Sequence, residues 1–260
     1  MPPLLIVVPY RDREAHFKSF VPHLRAYFAR DKSDRHIPYR VLIVEQDGNG
    51  PFNRGALKNV GFTLGAAESE YTCFHDIDYL PIWADYSYTD EPTRIVWHGA
   101  QTRPMAPEKS IRKIINDMED LFGTVILVPN KLFIAVNGYS NEYWGWGFED
   151  NDLKRRFLTA GAKPGLRKGT FVALDHANEG HQPNGMPTPA NLQNEKKMLS
   201  KWAPSGMAAH VSLSALKSDG LSTLKYEVIS RQAIPDPMPE REACWEIVKV
   251  QLKLPMPQGA

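Results

Sequence analysis

Three short apolar runs open the chain, each closed by polar or turn-forming residues: Leu4-Leu-Ile-Val-Val8 before Pro9, Tyr39-Arg-Val-Leu-Ile-Val-Glu45, and Tyr71-Thr-Cys-Phe-His75. Their lack of alternation predicts strands buried on both faces, as in a parallel sheet. Between the first two, Phe17, Phe20, Val21, Leu24 and Phe28 recur at helical spacing and predict a helix from about Glu14 to Ala29. Between the second and third, the stretch from Phe52 to Phe62 predicts a helix capped by Asn53, with small residues that allow close packing. Later segments predict strands at 93–98, 124–128 and 169–174, and helices at 108–120, 130–136, after Glu149, and at 192–202. Two alternating runs, 219–229 and 245–252, predict a pair of antiparallel strands. Strands alternating with helices define an α/β protein, and no repeat or linker divides its 260 residues.

Composition narrows the function by exclusion. Lys and Arg number 31 against 30 Asp and Glu, a net charge of +1 that gives no reason to expect nucleic acid or an anionic membrane as partner. Two cysteines, Cys73 and Cys244, exclude a disulfide framework and a zinc cluster; one bridge between them is the alternative to two buried thiols, which are the expectation. The run at 4–8 is too short to span a bilayer and lacks the flanks of a signal peptide, so no membrane segment is expected in this chain. Neither G-x-G-x-x-G nor a Walker pattern follows a strand, which argues against dinucleotide and P-loop enzymes.

The polar residues at the predicted strand ends carry the candidate chemistry. Arg11 and Arg13 follow the first strand, where an open α/β sheet presents its ligand crevice, and suit an anion such as a diphosphate. Asp76 and Asp78 follow the third strand, and paired carboxylates there call for a positive partner; oxygen ligands suit a divalent cation that a diphosphate can share. Asp175 and His176 follow the strand at 169–174 and suit a metal site begun by Asp78. Gly138-Tyr-Ser-Asn-Glu-Tyr-Trp-Gly-Trp-Gly-Phe-Glu-Asp-Asn-Asp152 joins Trp144 and Trp146, interleaved with glycines, to a run of acids at a helix start. Such a stretch suits a lid over a ligand beside a general base. Blander roles fit the same residues: arginines paired with Asp12 or Glu14, acids in Asx-turns, a half-buried satisfied histidine, and a glycine-hinged surface turn.

Taken in order, Pro9-Tyr-Arg-Asp-Arg13, Phe52-Asn-Arg54, Phe74-His-Asp-Ile-Asp-Tyr-Leu-Pro81, the 138–150 stretch and Asp219-Gly-Leu-Ser-Thr-Leu-Lys-Tyr226 resemble the β-1,4-galactosyltransferase family over nearly the whole chain. The resemblance implies a GT-A fold: a Rossmann-like single domain with a mixed central sheet, residues 1–81 mainly the nucleotide-binding half and 82–260 mainly the acceptor and lid half. It further implies an inverting transfer of galactose or N-acetylgalactosamine from a UDP donor to a glycan acceptor, with Mn2+ preferred over Mg2+. By the same resemblance Pro9, Arg11, Arg13, Phe52, Arg54, Asp76, Ile77, Leu121 and Trp146 are donor-site residues. Asp78 and His176 hold the metal with Asp175 as a substitute ligand, Asp150 is the base, Glu149 helps to hold the sugars, and Tyr143, Trp144 and Asn151 face the acceptor.

Three departures stand out: Asn151 replaces an acid, no methionine or histidine supplies the second late metal ligand, and Leu121 replaces a tyrosine, leaving room for an N-acetyl group. A UDP-sugar hydrolase and a non-catalytic carbohydrate-binding protein are the rival readings. Sparse cysteines favour a bacterial cytoplasmic enzyme over the lumenal portion of a Golgi protein.

Overall fold

The computed structural model describes residues 2–30, 37–101, 122–174, 182, 186–202, 212–235 and 244–257. In chain order the main elements are β1 (Leu4–Tyr10), α1 (Glu14–Arg30), β2 (Tyr39–Gln46), α2 (Arg54–Gly65), β3 (Tyr71–His75), β4 (Tyr79–Trp83), β5 (Thr93–Arg94) and β6 (His98–Gln101). They continue as β7 (Val125–Pro129), α3 (Asn130–Ala135), α4 (Glu149–Thr159), β8 (Gly165–Leu166), β9 (Thr170–Ala173), α5 (Pro189–Trp202), α6 (Leu213–Leu216), β10 (Tyr226–Ala233) and β11 (Cys244–Leu252).

The main sheet runs β10-β11-β2-β1-β3-β7-β5-β8, and a small second sheet runs β4-β9-β6. β1 pairs in parallel with both β2 and β3, while β7 lies antiparallel to β3, so the sheet is mixed. The apolar runs are buried on both faces as their pattern predicts: Leu5 and Val7 of β1 join one core cluster, Leu4, Ile6 and Val8 the other. On one face α1 contributes Phe20, Val21, Leu24 and Phe28; on the other α2 contributes Leu57, Val60 and Phe62. Close approach of α2 to the sheet depends on Gly61, where a Cβ would lie 2.3 Å from Val7 Cγ1. Asn53 caps α2 as predicted, its side chain accepting a hydrogen bond from the Ala56 backbone N–H at 2.9 Å. Cys73 is buried as a free thiol.

Tertiary packing alters the sequence-based element boundaries in three places. The predicted strand at 93–98 divides into β5 and β6, which belong to different sheets. β4, absent from the pattern reading, forms because Tyr79–Trp83 finds β9 as an antiparallel partner. Residues 219–225 are not strand: Asp219 spends its carboxylate and carbonyl on Arg156 and Asn141, a turn forms at Leu221–Thr223, and extended structure starts at Tyr226. The antiparallel pairing of the last two strands is present, with β11 also adding in parallel to β2. The predicted helix at 108–120 lies outside the described residues. Among the described residues no helix is long and apolar enough to cross a membrane.

Candidate active site

The C-terminal ends of β1, β2 and β3 meet the start of α2. Gln46, last in β2, grips the following loop with both ends of its amide, donating to the Pro51 carbonyl at 2.8 Å and accepting from the Asn53 N–H at 2.8 Å. Arg11 lies against this loop, donating to the Gly50 carbonyl at 2.6 Å, with its guanidinium 5.2 Å from the Phe52 ring centroid. Its carboxylate neighbour is Asp12, at 3.7 Å. Arg13 is half-buried, Pro9 is buried within β1, and Ile77 is buried between the two acids of the Asp-x-Asp motif. Arg11 is turned to the 48–52 loop.

The cations that meet the acids come from α2. Arg54 donates to Asp76 Oδ2 at 2.8 Å, to Glu149 Oε1 through Nε at 2.5 Å, and to Asp150 Oδ2 at 2.7 Å. One turn on, Lys58 places its ammonium 3.4 Å from Asp150 Oδ1 and 3.6 Å from Asp76 Oδ1. Burial pulls the Arg54 pKa down, and the carboxylates of Asp76, Glu149 and Asp150 more than offset that, holding the guanidinium firmly charged. For Asp76, burial dominates and raises its pKa, with Arg54 and Lys58 opposing. Glu149 and Asp150 occupy the first turn of α4, where backbone N–H groups favour negative charge. Gly123 packs against Asp150: a Cβ there would lie 2.3 Å from Asp150 Oδ2. The adjacent Thr124 carbonyl accepts from the Asp76 N–H at 2.9 Å, so the same strand segment borders both acids.

The lid stretch is docked. The Gly145 N–H donates to the Phe52 carbonyl at 2.7 Å, and Asn194 of α5 donates to the carbonyls of Trp144 at 3.0 Å and Trp146 at 3.3 Å. Gly145, Gly147 and Phe148 carry φ of +76°, +102° and +73°, the left-handed turn that swings the chain into α4. Trp146 is 40% exposed and Asn151 is exposed, whereas Trp144 and Tyr143 are buried. The Tyr143 hydroxyl donates to Asp152 at 3.1 Å, so the side chain expected to face an acceptor is turned into the protein here. Asp152 also receives Trp202 Nε1 at 2.9 Å, Arg156 and Lys201, and Arg156 continues to Asp219. That buried network fixes the base of α4 beneath the lid.

The residues fit a hard divalent cation as far as they are described. Asp76 Oδ1 is buried without a hydrogen-bond partner among the described residues, and carboxylate oxygens are the donor type such ions prefer. Asp78 is half-buried at the same strand end, and the Leu174 N–H donates to its carbonyl at 2.7 Å. That bond brings the end of β9 to Asp78, with Asp175 and His176 next in the chain. Both residues, and Leu121, lie outside the described residues, and among the described residues no group of three metal-binding side chains forms.

Three participants escaped the motif reading. Lys58, Asn194 and Arg94 became visible only through packing: Arg94 is 2% exposed, its pKa lowered by burial, with Tyr79 and Asp150 as its facing partners. A lysine at i+4 from Arg54 in a helix of small buried residues was the available signal for the first.

A mixed sheet whose strand ends carry an Asp-x-Asp pair, faced across one pair of cations by acids at a helix start, is an α/β arrangement of the GT-A fold class. The catalytic domain of Drosophila beta1,4galactosyltransferase 7, solved in complex with xylobiose, has the same fold, with a TM-score of 0.69 at 23% identity, covering 98% of this chain and 96% of that one. A mutant of the fly enzyme in complex with manganese, UDP-Gal and xylobiose gives 0.70 at 22% identity over the same shares. The pattern described as the N-terminal region of glycosyl transferase group 7 matches residues 3–90, and the one described as the N-terminal domain of galactosyltransferase matches 107–177. The chain belongs to the β-1,4-galactosyltransferase family. Beta-1,4-galactosyltransferase 3 of Bos taurus is 28% identical over 236 residues, 88% of this chain and 52% of that protein. Beta-1,4-galactosyltransferase 4 of Rattus norvegicus is 27% identical over 237 residues, 88% and 60%. The chain thus spans just over half the length of these curated relatives.

Proposed function

We propose that this protein is an inverting, metal-dependent hexosyltransferase that moves galactose or N-acetylgalactosamine from a UDP donor to a sugar hydroxyl of a glycan, forming a β-linkage of the β-1,4 type. The observation that carries this reading is the convergence of Asp76 and Asp150 on Arg54 and Lys58, which unites the first strand-end acid and the candidate base in one site. The acceptor hydroxyl attacks the anomeric carbon from the face opposite UDP, the bond from that carbon to the diphosphate oxygen breaks, and Asp150 takes the hydroxyl proton. Proton transfer of this kind contributes about 10²–10⁴-fold. Phe52 and Arg11 supply a flat ring and a cation for the uridine diphosphate, and Glu149, fixed by Arg54, orients the sugars. Trp146 covers the donor and excludes water, which would otherwise consume it by hydrolysis. Asp78, His176 and Asp175 would hold manganese, whose charge when bound offsets that of the departing diphosphate.

The curated relatives favour galactose, and Leu121 in place of tyrosine favours N-acetylgalactosamine. Sparse cysteines favour a bacterial cytoplasmic setting over the lumenal portion of a Golgi protein. The test is UDP release with manganese from UDP-galactose and UDP-N-acetylgalactosamine, with and without sugar-terminated acceptors. Acceptor-dependent release with a new disaccharide product is expected. Release that ignores the acceptor identifies a hydrolase, and no release from either donor overturns the reading.

A further inference from the structure

We infer that Lys58 is a positioning residue for Asp150, a buried cation that fixes the second oxygen of the base and binds the first turn of α4 to the end of β3. The inference rests on the reading of Asp150 as the base. Lys58 is 1% exposed, and a buried ammonium is costly unless it is paired, so an apolar side chain would pack there at less cost unless the charge is used. Its partners are the Oδ1 atoms of Asp150, at 3.4 Å, and Asp76, at 3.6 Å, and it lies 5.0 Å from the centroid of the Tyr139 ring. Asp150 Oδ2 is taken by Arg54 at 2.7 Å. The two oxygens of one carboxylate are therefore addressed by two cations one helical turn apart on α2.

The division of labour between those cations is unequal. Arg54 is shared among three carboxylates, whereas among the described residues Lys58 pairs with two, through the Oδ1 atoms of Asp76 and Asp150. α2 is itself a fixed reference, since Asn59 donates to the Tyr139 carbonyl at 2.8 Å and accepts from the Tyr139 N–H at 2.9 Å. Asp150 stands in the first turn of α4, directly after the left-handed turn at Gly145, Gly147 and Phe148. Without Lys58, Oδ1 of Asp150 loses its cation and, among the described residues, the carboxylate is held by an Arg54 that two other acids share, so its alignment with the acceptor proton is loosened. Small misplacements of a reacting group cost up to about 10²-fold in rate.

The experiment compares wild type, Lys58→Met, Asp150→Asn and the double variant by donor kinetics, UDP binding with manganese, and thermal melting. Lys58→Met is expected to melt cooperatively, to bind UDP within about threefold of wild type, and to lose about tenfold or more in kcat with little change in donor KM. On the Asp150→Asn background the same substitution should cost less than about twofold in residual kcat, and the melting temperature lost by Lys58→Met should be largely recovered, because both act through one carboxylate. A kcat within threefold of wild type overturns the inference, as does a loss confined to KM and UDP affinity, or a tenfold loss repeated on the Asp150→Asn background. Should Lys58→Met not fold, Lys58→Gln, which keeps a donor without the charge, is held to the same thresholds. A wild type without transferase activity sinks the functional reading instead, and the melting cycle then decides the Lys58–Asp150 pairing by itself.

Discussion

Arg54 lies between Asp76 and Asp150, donating to the first at 2.8 Å and to the second at 2.7 Å, and so joins residues 74 positions apart in sequence into one centre. Its guanidinium also reaches Glu149, and its side chain is only a quarter exposed. Replacing it with methionine leaves Asp76 and Asp150 with Lys58 as their shared cation and takes from Glu149 the cation that meets it. Breaking a largely buried charge cluster in this way is expected to cost about 3 kcal/mol of stability, read from urea unfolding at neutral pH. Arg54→Lys should recover little of it, since one ammonium cannot reproduce the fork that serves three carboxylates. A loss below about 1 kcal/mol in Arg54→Met would show that the cluster does not stabilise the fold.

Asp150→Asn keeps the shape of the side chain and removes its capacity to take a proton. Transfer should fall by about 10²–10⁴-fold while UDP binding, measured by calorimetry with manganese, changes little. Retained turnover would remove Asp150 from the role of base.

His75 gives a prediction for pH. It is fully buried, with Nε2 3.0 Å from the Tyr86 hydroxyl and Nδ1 2.9 Å from the Asp76 carbonyl, and burial pushes its pKa down to about 4. Because the folded value lies below the unfolded value of 6.5, the unfolded chain binds the extra proton first. The associated stability is complete above pH 6.5 and is lost as pH falls toward 4, a change of about 3 kcal/mol. Urea unfolding of wild type and His75→Gln at pH 7 and pH 5 isolates this group, because other titrations cancel in the difference. Parallel pH dependences in the two proteins would contradict the assignment.

Asn194 holds the lid stretch through two carbonyls, those of Trp144 and Trp146. Asn194→Ala should loosen the docked lid by about 1 kcal/mol, raising donor KM several-fold and the fraction of donor lost to water. The ratio of hydrolysis to transfer in the presence of acceptor is the measurement, and an unchanged ratio would detach this contact from lid function.

Local pattern was enough to find the first three strands, α1 and α2, because residues such as Leu4–Val8 must be buried on both faces and Phe17–Phe28 repeat with the helical period. The motif residues were equally legible: Asp76 and Asp78 announced acids that needed a positive partner, and Glu149 and Asp150 acids at a helix start. Which partner they find was not. The side chains of Arg11 and Arg54 look alike in sequence, yet Arg11 turns to Gly50 and Phe52 while Arg54 enters the acids, and Lys58 reads as an ordinary helix lysine until α2 is laid beneath α4. β4 and the unwound 219–225 segment follow the same rule, since each is set by partners far along the chain. Burial and periodicity are properties of neighbouring residues and can be read in one dimension. The pairing of charges depends on which elements cross, and only the folded chain brings residues 54, 76 and 150 within reach of one another.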